Sequence, residues 1–581
     1  MIFILLVVHG IFVGMYLRTT RRKNKDGSVT EYYQLAHNER HPETRKPVAQ
    51  IVHNFGRADQ LDRDELVRLC RSIARVCDLE VIDRLAPGEA GSASDALPGD
   101  IKLIGTLGLG PVVVIEALWN RLGIGEILRE KLRKKKRALE YERALLAMTA
   151  NRLCEPESKL GVWDRWLSKV YLPSCEGLLL RQMYEAMDFL YAEAREVEEA
   201  VFFHTADLLN LDVDLVFYDT TTASFSVDEE DEESEALGSG LRQWGKPKEG
   251  GWAVQVVVAL AVTREGLPVR CWVFPGKTTD VTTVEQIKAD LRGWKLSRAL
   301  FVADAGMNSK ENRAALGRAC GKYLLATRLA SVAEIKQEVL SAPGRFKVIQ
   351  ENLHAKEVLV GDGERRRRYV LCYNPKEAER QQRLRAQRIE ELEAELARHP
   401  DKDANAQWAI ELLASGRYKR YLTTTQKGRI RIDRAAIRDA QRYDGKWVLE
   451  TNDDTISLED AASGYKGLLV IERCFRSLKR TQIKMTPMFH WLPHRIEAHV
   501  RICVLALLIE RVAELACSQS WFRIRGTLDA LQATEFHTPT QRFFRINEVP
   551  QPVRQVFKSL AIPLPKRVLA IFAHPSQPSE A

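Results

Sequence analysis

An α/β fold with a sheet of mixed direction is what this sequence predicts, and three features carry the prediction. Apolar strand candidates lie at 213–226, 252–265 ("WAVQVVVALAVTRE") and 267–275 ("LPVRCWVFP"), the last two joined by a short glycine-containing turn. A helix at 280–294 ("DVTTVEQIKADLRGW"), a strand at 298–306 ("RALFVADAG"), a helix near 309–319 and a strand at 322–329 ("KYLLATRL") follow. Three meandering strands and then helix, strand, helix, strand imply helices packed on a sheet with both parallel and antiparallel pairs.

Taken from the N-terminus, residues 1–14 ("MIFILLVVHGIFVG") are apolar, too short to span a bilayer and without a basic leading segment. A signal peptide and an over-extended reading frame both fit them; the second is preferred, with the start at Met15. Residues 15–84 read as a small β and helical unit, in which 15–60 alternate as strands with an Asp-Gly turn and 61–80 carry helical periodicity. The stretch 85–100, rich in Pro, Gly, Ala and Ser, reads as a linker, and 101–210 as a helical region with a basic edge. The first part of the core occupies 211–330, and its order of elements is the ribonuclease H-like one. A β-rich and helical insertion at 331–455 interrupts it, with a hairpin at 357–373 around Gly-Asp-Gly and a charged helix at 375–399. A strand at 445–452 ("GKWVLETN") leads back to the core at 456–515, where 465–479 is helical; the role of 516–581 has no signature.

The 581 residues include 87 Lys and Arg against 78 Asp and Glu, a net charge of +9. The basic residues gather at "RTTRRKNK" (18–25), "KLRKKKR" (131–137), "RRRR" (365–368) and "RYKRY" (417–421). One such run is usually a solvated face, but several favour a polyanionic partner, most commonly nucleic acid. The acidic run "DEEDEESE" (228–235) reads as a mobile loop. Ten cysteines without a C-x-x-C pair read as reduced thiols of a cytoplasmic protein with no membrane partner. His490, His494 and His499 lie near one another, but without a second cluster they do not support a zinc site.

Three carboxylates carry the chemistry. Asp219 is expected to end the first strand ("LVFYD"), Asp304 ends the fourth ("LFVAD"), and Glu472 lies on the later helix. In a ribonuclease H-like sheet the first and fourth strands are neighbours, so the two aspartates meet and the glutamate comes in from the helix beside them. A carboxylate at the end of an apolar strand is costly without a local hydrogen bond or a ligand. Several carboxylate oxygens suit Mg²⁺, for which Mn²⁺ can substitute, and two such ions serve in-line phosphoryl displacement.

The helix adds weight. Tyr465, Leu468, Glu472, Arg476 and Lys479 are spaced three, four, four and three apart and share one helical face. On these residues the sequence resembles the DDE transposases of bacterial insertion sequences, in the group with a β-rich insertion between the second Asp and the Glu. That group's helical signature runs Tyr, two residues, Arg, three residues, Glu, six residues, Lys. Tyr465, Glu472 and Lys479 match it; Leu468 stands where the Arg is expected, and Arg476 lies one turn on as a substitute. "FYDTTT", "VFPGKTTD", "VADAGMNS" and "GKWVLETN" are also similar to the family, although Gly276-Lys277 stands where Gly-Asn is usual.

The resemblance implies an enzyme that binds the terminal inverted repeats of its own element, cuts at their ends and joins the 3′-hydroxyl to target DNA. Asp219, Asp304 and Glu472 would be its catalytic metal ligands, and Tyr465, Arg476 and Lys479 would contact terminal phosphates. Trp447, with Trp408 as an alternative, would receive a flipped base. The expected DNA-contacting regions are 15–84 and 101–210, and the expected assembly is a homodimer on paired ends. Two other readings share the carboxylates: a ribonuclease H-like nuclease that does not join strands, and an inactive DNA-binding derivative of such an element.

Overall fold

Four strands open the chain: β1 (Ile4–Val8), β2 (Ile11–Lys23), β3 (Val29–Arg40) and β4 (Pro47–Arg57). The computed structural model describes residues 4–8, 11–23, 29–40, 47–57 and 101–573, apart from 212, 233–239, 295, 297–298, 319–320, 330–331 and 364–365. The four strands form one antiparallel sheet in sequential order, within a unit spanning Met1–Leu97. β1 and the start of β2 fall within the fourteen residues read as a doubtful leader, and Met15 pairs with both Ile4 and His37. The Asp-Gly turn, the helix at 61–80 and the linker at 85–100 lie outside the described residues.

The second unit, Pro98–Ala581, begins with β5 (Lys102–Gly108) and five helices: α1 (Gly110–Arg121), α2 (Ile124–Lys134), α3 (Glu140–Cys154), α4 (Leu180–Ala192) and α5 (Ala194–Leu208). α1 and α2 are separate helices because the chain turns at Gly123, with φ of +69°. Most of α3 is buried.

The α/β region follows: β6 (Leu215–Ser224), β7 (Gln243–Gly245), β8 (Ala253–Val262), β9 (Pro268–Pro275), α6 (Asp280–Gly293), β10 (Leu300–Ala303), α7 (Lys310–Gly317) and β11 (Tyr323–Thr327). Then come β12 (Lys347–Gln350), β13 (Leu353–Val360), β14 (Arg367–Tyr373), α8 (Pro375–Arg398), α9 (Gln407–Ala414), β15 (Leu422–Thr424), β16 (Ile430–Ile432), α10 (Arg434–Gln441) and β17 (Lys446–Thr451). One mixed sheet runs β12-β13-β14-β17-β11-β10-β6-β8-β7, with β9 also on β8. β10 is parallel to β6 and to β11, and the other pairs are antiparallel. β12, β13, β14 and β17 thus extend the central sheet, while α8, α9, α10, β15 and β16 close over a small core of their own around Leu392, Tyr421 and Ile437.

Alternation along β6 gives the sheet a core on each face. Leu215 and Phe217 join the core shared with the helices, whereas Val216 and Tyr218 join the one under α6, with Val284, Ile287 and Leu291. The helical face is completed by α11 (Leu458–Lys466), α12 (Leu468–Arg476) and α13 (Pro493–Cys517). The chain ends in α14 (Trp521–Leu528), β18 (Gln532–His537), β19 (Gln541–Ile546), α15 (Gln551–Ser559) and β20 (Val568–Ala573). The last three strands and β5 form a four-stranded sheet, β20-β19-β18-β5. A strand pairing between residues so far apart leaves no local periodicity, which is why the region at 101–210 reads from sequence as helical throughout. No described helix is long and apolar enough to cross a membrane.

Candidate active site

The register of β6 and β10 brings the two aspartates together. Their last parallel couple is Val302 with Phe217, and Asp304 and Asp219 each lie two residues further on. Residue parity places both on the helical face, since Leu300, Val302, Leu215 and Phe217 all belong to that core. One expectation is corrected here: Asp219 does not end its strand. β6 continues to Ser224 against β8, with Asp219 opposite Leu260, and what ends beside Asp219 is the parallel partner β10. The threonines after Asp219 stay in the sheet because β8 still offers them a ladder.

Glu472 arrives on α12, which packs Ile471, Cys474 and Phe475 into the helical core and leaves Glu472, Arg473 and Arg476 exposed. The expected single helix over 465–479 is interrupted: α11 stops at Lys466, α12 begins after Gly467, and residues 477–481 form a wide π-type turn. A Cβ on Gly467 would collide with the Phe217 ring, so the glycine lets the helix lie against β6. Tyr465, before the break, donates its hydroxyl to Asp304 Oδ1 at 3.2 Å. Burial raises the pKa of that phenol, and the charges of Asp304, Glu472 and Asp219 raise it further. All three carboxylates therefore act on one tyrosine, which stays protonated and a donor at neutral pH.

Burial pushes the Asp219 carboxyl up to about 6 against the opposing pull of Lys248 and the Thr220 N–H, and Asp280 adds to the rise. Thr220 N donates to Asp219 Oδ1 at 2.7 Å, so the local hydrogen-bond explanation of this residue holds alongside any ligand role. Lys248 Nζ lies 3.4 Å from Asp219 Oδ1 and 3.5 Å from Asp280 Oδ2, and the Thr220 hydroxyl donates to Asp280. Lys248 and Asp280 were missed from sequence. Asp280 closes the quoted "VFPGKTTD", but Lys248 sits in a polar loop whose composition carries no signal.

Lys479 reaches back to β6, 3.3 Å from the Thr221 hydroxyl, and is ion-paired with Glu249. Arg476 is exposed in the last turn of α12. Leu468, where an arginine was expected, packs against the helical core. Trp447 sits in β17 opposite Cys372, also on that core, and no hydrogen bond or ring contact among the described residues joins it to the carboxylates. Trp408 stacks on His399 at 4.1 Å, against the small core around Leu392, Tyr421 and Ile437. Beside Asp304 a cavity of about 560 Å³ is lined by Lys310, Arg313, Arg328 and Arg367 with Asn308 and Glu450.

Much of the expected basic surface is neutralised within the chain. Lys131 and Lys135 pair with Glu196 and Glu193, and Arg366, Arg367 and Arg368 with Asp454, Glu334 and Glu357. In the described part of the acidic run, 228–232, Asp231 holds Arg242, and Glu230 accepts from Trp244 N and pairs with Lys277. His494 pairs with Asp188, and His499 contacts Lys159 and the Met485 carbonyl.

In chemistry the donors fit a hard divalent cation, because they are carboxylates and one of them is held at a cost in charge. In spacing, no three His, Cys, Asp or Glu side chains among the described residues stand close enough to share an ion in this arrangement. Asp219 is balanced by a lysine instead.

Two family models match the chain. The IS1634 family transposase N-terminal domain matches residues 17–83, and the transposase DDE domain matches residues 221–509, a span that holds Asp304 and Glu472 and begins two residues after Asp219. No curated protein matches. Among solved structures, a piggyBac transposase synaptic complex with hairpin DNA is similar over 72% of this chain and 79% of that one, at 9% identity and a TM-score of 0.33, too distant to argue from. With an insertion-sequence N-terminal domain followed by a DDE domain, the chain belongs to the DDE transposases of insertion sequences.

Proposed function

We propose that this transposase binds the terminal inverted repeats of its own element, cleaves the DNA at their ends and joins the 3′-hydroxyl to a target, on a ribonuclease H-like core. Asp219, Asp304 and Glu472 are its metal ligands and Mg²⁺ its cofactor, with two ions in the working site. The observation that carries the reading is the placement of Asp219 and Asp304 in matching positions of adjacent parallel strands, with Glu472 on the helix packed against β6 and the Tyr465 hydroxyl bonded to Asp304. Divalent cations held there would supply the Lewis acidity that activates the attacking oxygen and stabilises the leaving one.

The chain's own residues do the rest. The Tyr465 hydroxyl orients Asp304, and its raised pKa keeps the proton in place. Lys479, beside Thr221, offers a cation for a terminal phosphate, and Arg476 a second at the exposed end of α12. The regions 15–84 and 101–210 contribute the binding of the ends, and two copies hold paired ends. Trp447, on β17, is the stacking partner for a flipped base in this reading.

The test uses a labelled duplex carrying the element's own end, with and without Mg²⁺, and a Glu472→Gln variant. Expected are metal-dependent nicking at the end and joining to a plasmid, both lost by at least about a hundredfold in the variant while binding persists. Nicking without joining would reduce the reading to a nuclease, and equal cleavage by the variant would remove Glu472 from the site.

A further inference from the structure

The loop 246–252 ("KPKEGGW") connects β7 to β8 and turns at Gly250 and Gly251, with φ of +97° and +78°. Two adjacent side chains of this loop lie on the site, docked by a bond from Lys248 N to the Thr222 hydroxyl at 3.1 Å. Lys248 Nζ donates to the Thr220 carbonyl at 2.6 Å, to the Thr220 hydroxyl at 2.8 Å and to Asp219 at 3.4 Å, with Asp280 at 3.5 Å. Four oxygens, two of them anionic, surround one positive charge, which is the kind of shell a hard cation seeks. Next to it, Glu249 is ion-paired with Lys479, lies 3.9 Å from Arg480 and accepts from Thr222 at 3.4 Å. A carboxylate on a lysine presents the charge that a phosphate would present.

We propose that Lys248 and Glu249 form a built-in clamp: the ammonium competes with the cation for Asp219, the carboxylate competes with DNA phosphate for Lys479, and loading the site moves this loop aside. The proposal rests on Asp219 as a cation ligand and Lys479 as a phosphate contact. Because the two residues are neighbours, DNA that displaces Glu249 also draws Lys248 from Asp219, so each ligand helps the other to bind, and by linkage to the same extent. The Lys248 side chain is 40% exposed, so its ion pairs are of the modest strength that a ligand can displace.

The experiment compares the full chain with Lys248→Ala, Lys248→Gln, Glu249→Gln and Asp219→Asn. Mg²⁺ alone is titrated by calorimetry and thermal shift, and binding of a short duplex is followed by fluorescence anisotropy in Ca²⁺ at several salt concentrations. Both Lys248 variants should lower the half-saturating Mg²⁺ concentration by about two- to fivefold, the worth of a partly exposed ion pair. Glu249→Gln should tighten duplex binding and steepen the log–log salt dependence by about one phosphate contact. Unchanged or weaker Mg²⁺ binding in both Lys248 variants, or weaker duplex binding in Glu249→Gln, overturns the clamp and makes these side chains supports of the site. A Mg²⁺ response present in the natural chain and lost in Asp219→Asn keeps the cation site itself, so that such a result condemns the clamp alone. A response absent from every protein, or kept in Asp219→Asn, overturns the site assignment with it.

Discussion

At Asp219, burial lifts the acid to about 6 from an ordinary 3.8, with Lys248 and the Thr220 N–H pulling it back and Asp280 adding to the rise. The folded value is the higher one, so the folded chain binds an extra proton between about pH 4 and 6, and stability rises as the pH falls through that window. At pH 7 the ionised group is a burden. Asp219→Asn in EDTA is therefore expected to gain about 1–2 kcal/mol at pH 7, less than the roughly 3 kcal/mol that the pKa change represents, because Lys248 loses a partner. Melting curves at pH 7 and pH 4 check this: the gain should shrink at pH 4, and a loss at pH 7 would mean that the carboxylate holds the fold together. The elements that carry Asp219, Asp304 and Glu472 were legible in the sequence, because each carboxylate follows or sits within an apolar pattern. Lys248, Glu249 and Asp280 were not, because loop residues have no period and their partners are chosen by the tertiary fold.

At the scale of elements, Gly467 decides how closely α12 approaches β6. Its missing Cβ leaves room for the Phe217 ring, whose strand also carries Asp219. Gly467→Ala should force the helix outward and destabilise the chain by about 1–3 kcal/mol, the range for overpacking a close contact. Thermal melting reads the loss, and a fall in nicking larger than the fall in folded protein would show Glu472 displaced. An unchanged melt would mean that the junction yields freely. Apart from β7, which was not expected, the strands from β6 to β11 and the helices between them fall close to their expected bounds, since alternation and amphipathic spacing are local signals. The break at Gly467 was hidden, because one glycine inside an amphipathic pattern does not interrupt the pattern. Trp447 shows the opposite limit: its aromatic character is visible in the sequence, but its packing on the core is not.

Across the whole molecule, the four apolar cores found among the described residues lie within residues 98–581, as do Asp219, Asp304 and Glu472. A chain beginning at Pro98 is accordingly expected to fold alone, with its melting transition moved by less than about 3 °C. Circular dichroism and thermal melting check this, and aggregation of the shortened chain would show that its stability depends on the first unit. The mixed sheet was readable as a class from the order of its elements. The C-terminal sheet was not, because its first strand stands apart from the rest by most of the chain.

That sheet also sets a schedule for biosynthesis. β5 pairs with β18, and the amides of Leu109 and Gly110, where α1 starts, both donate to the carbonyl of Leu531. A ribosome releases β5 about 420 residues ahead of its partner, which at roughly 5–20 residues per second is a wait on the order of tens of seconds. During that interval the exposed edge of the strand is a hazard for misassembly. A chain released before residue 532 would carry β5 without the strand that pairs with it, beside a helical region whose first amides lack their acceptor at Leu531.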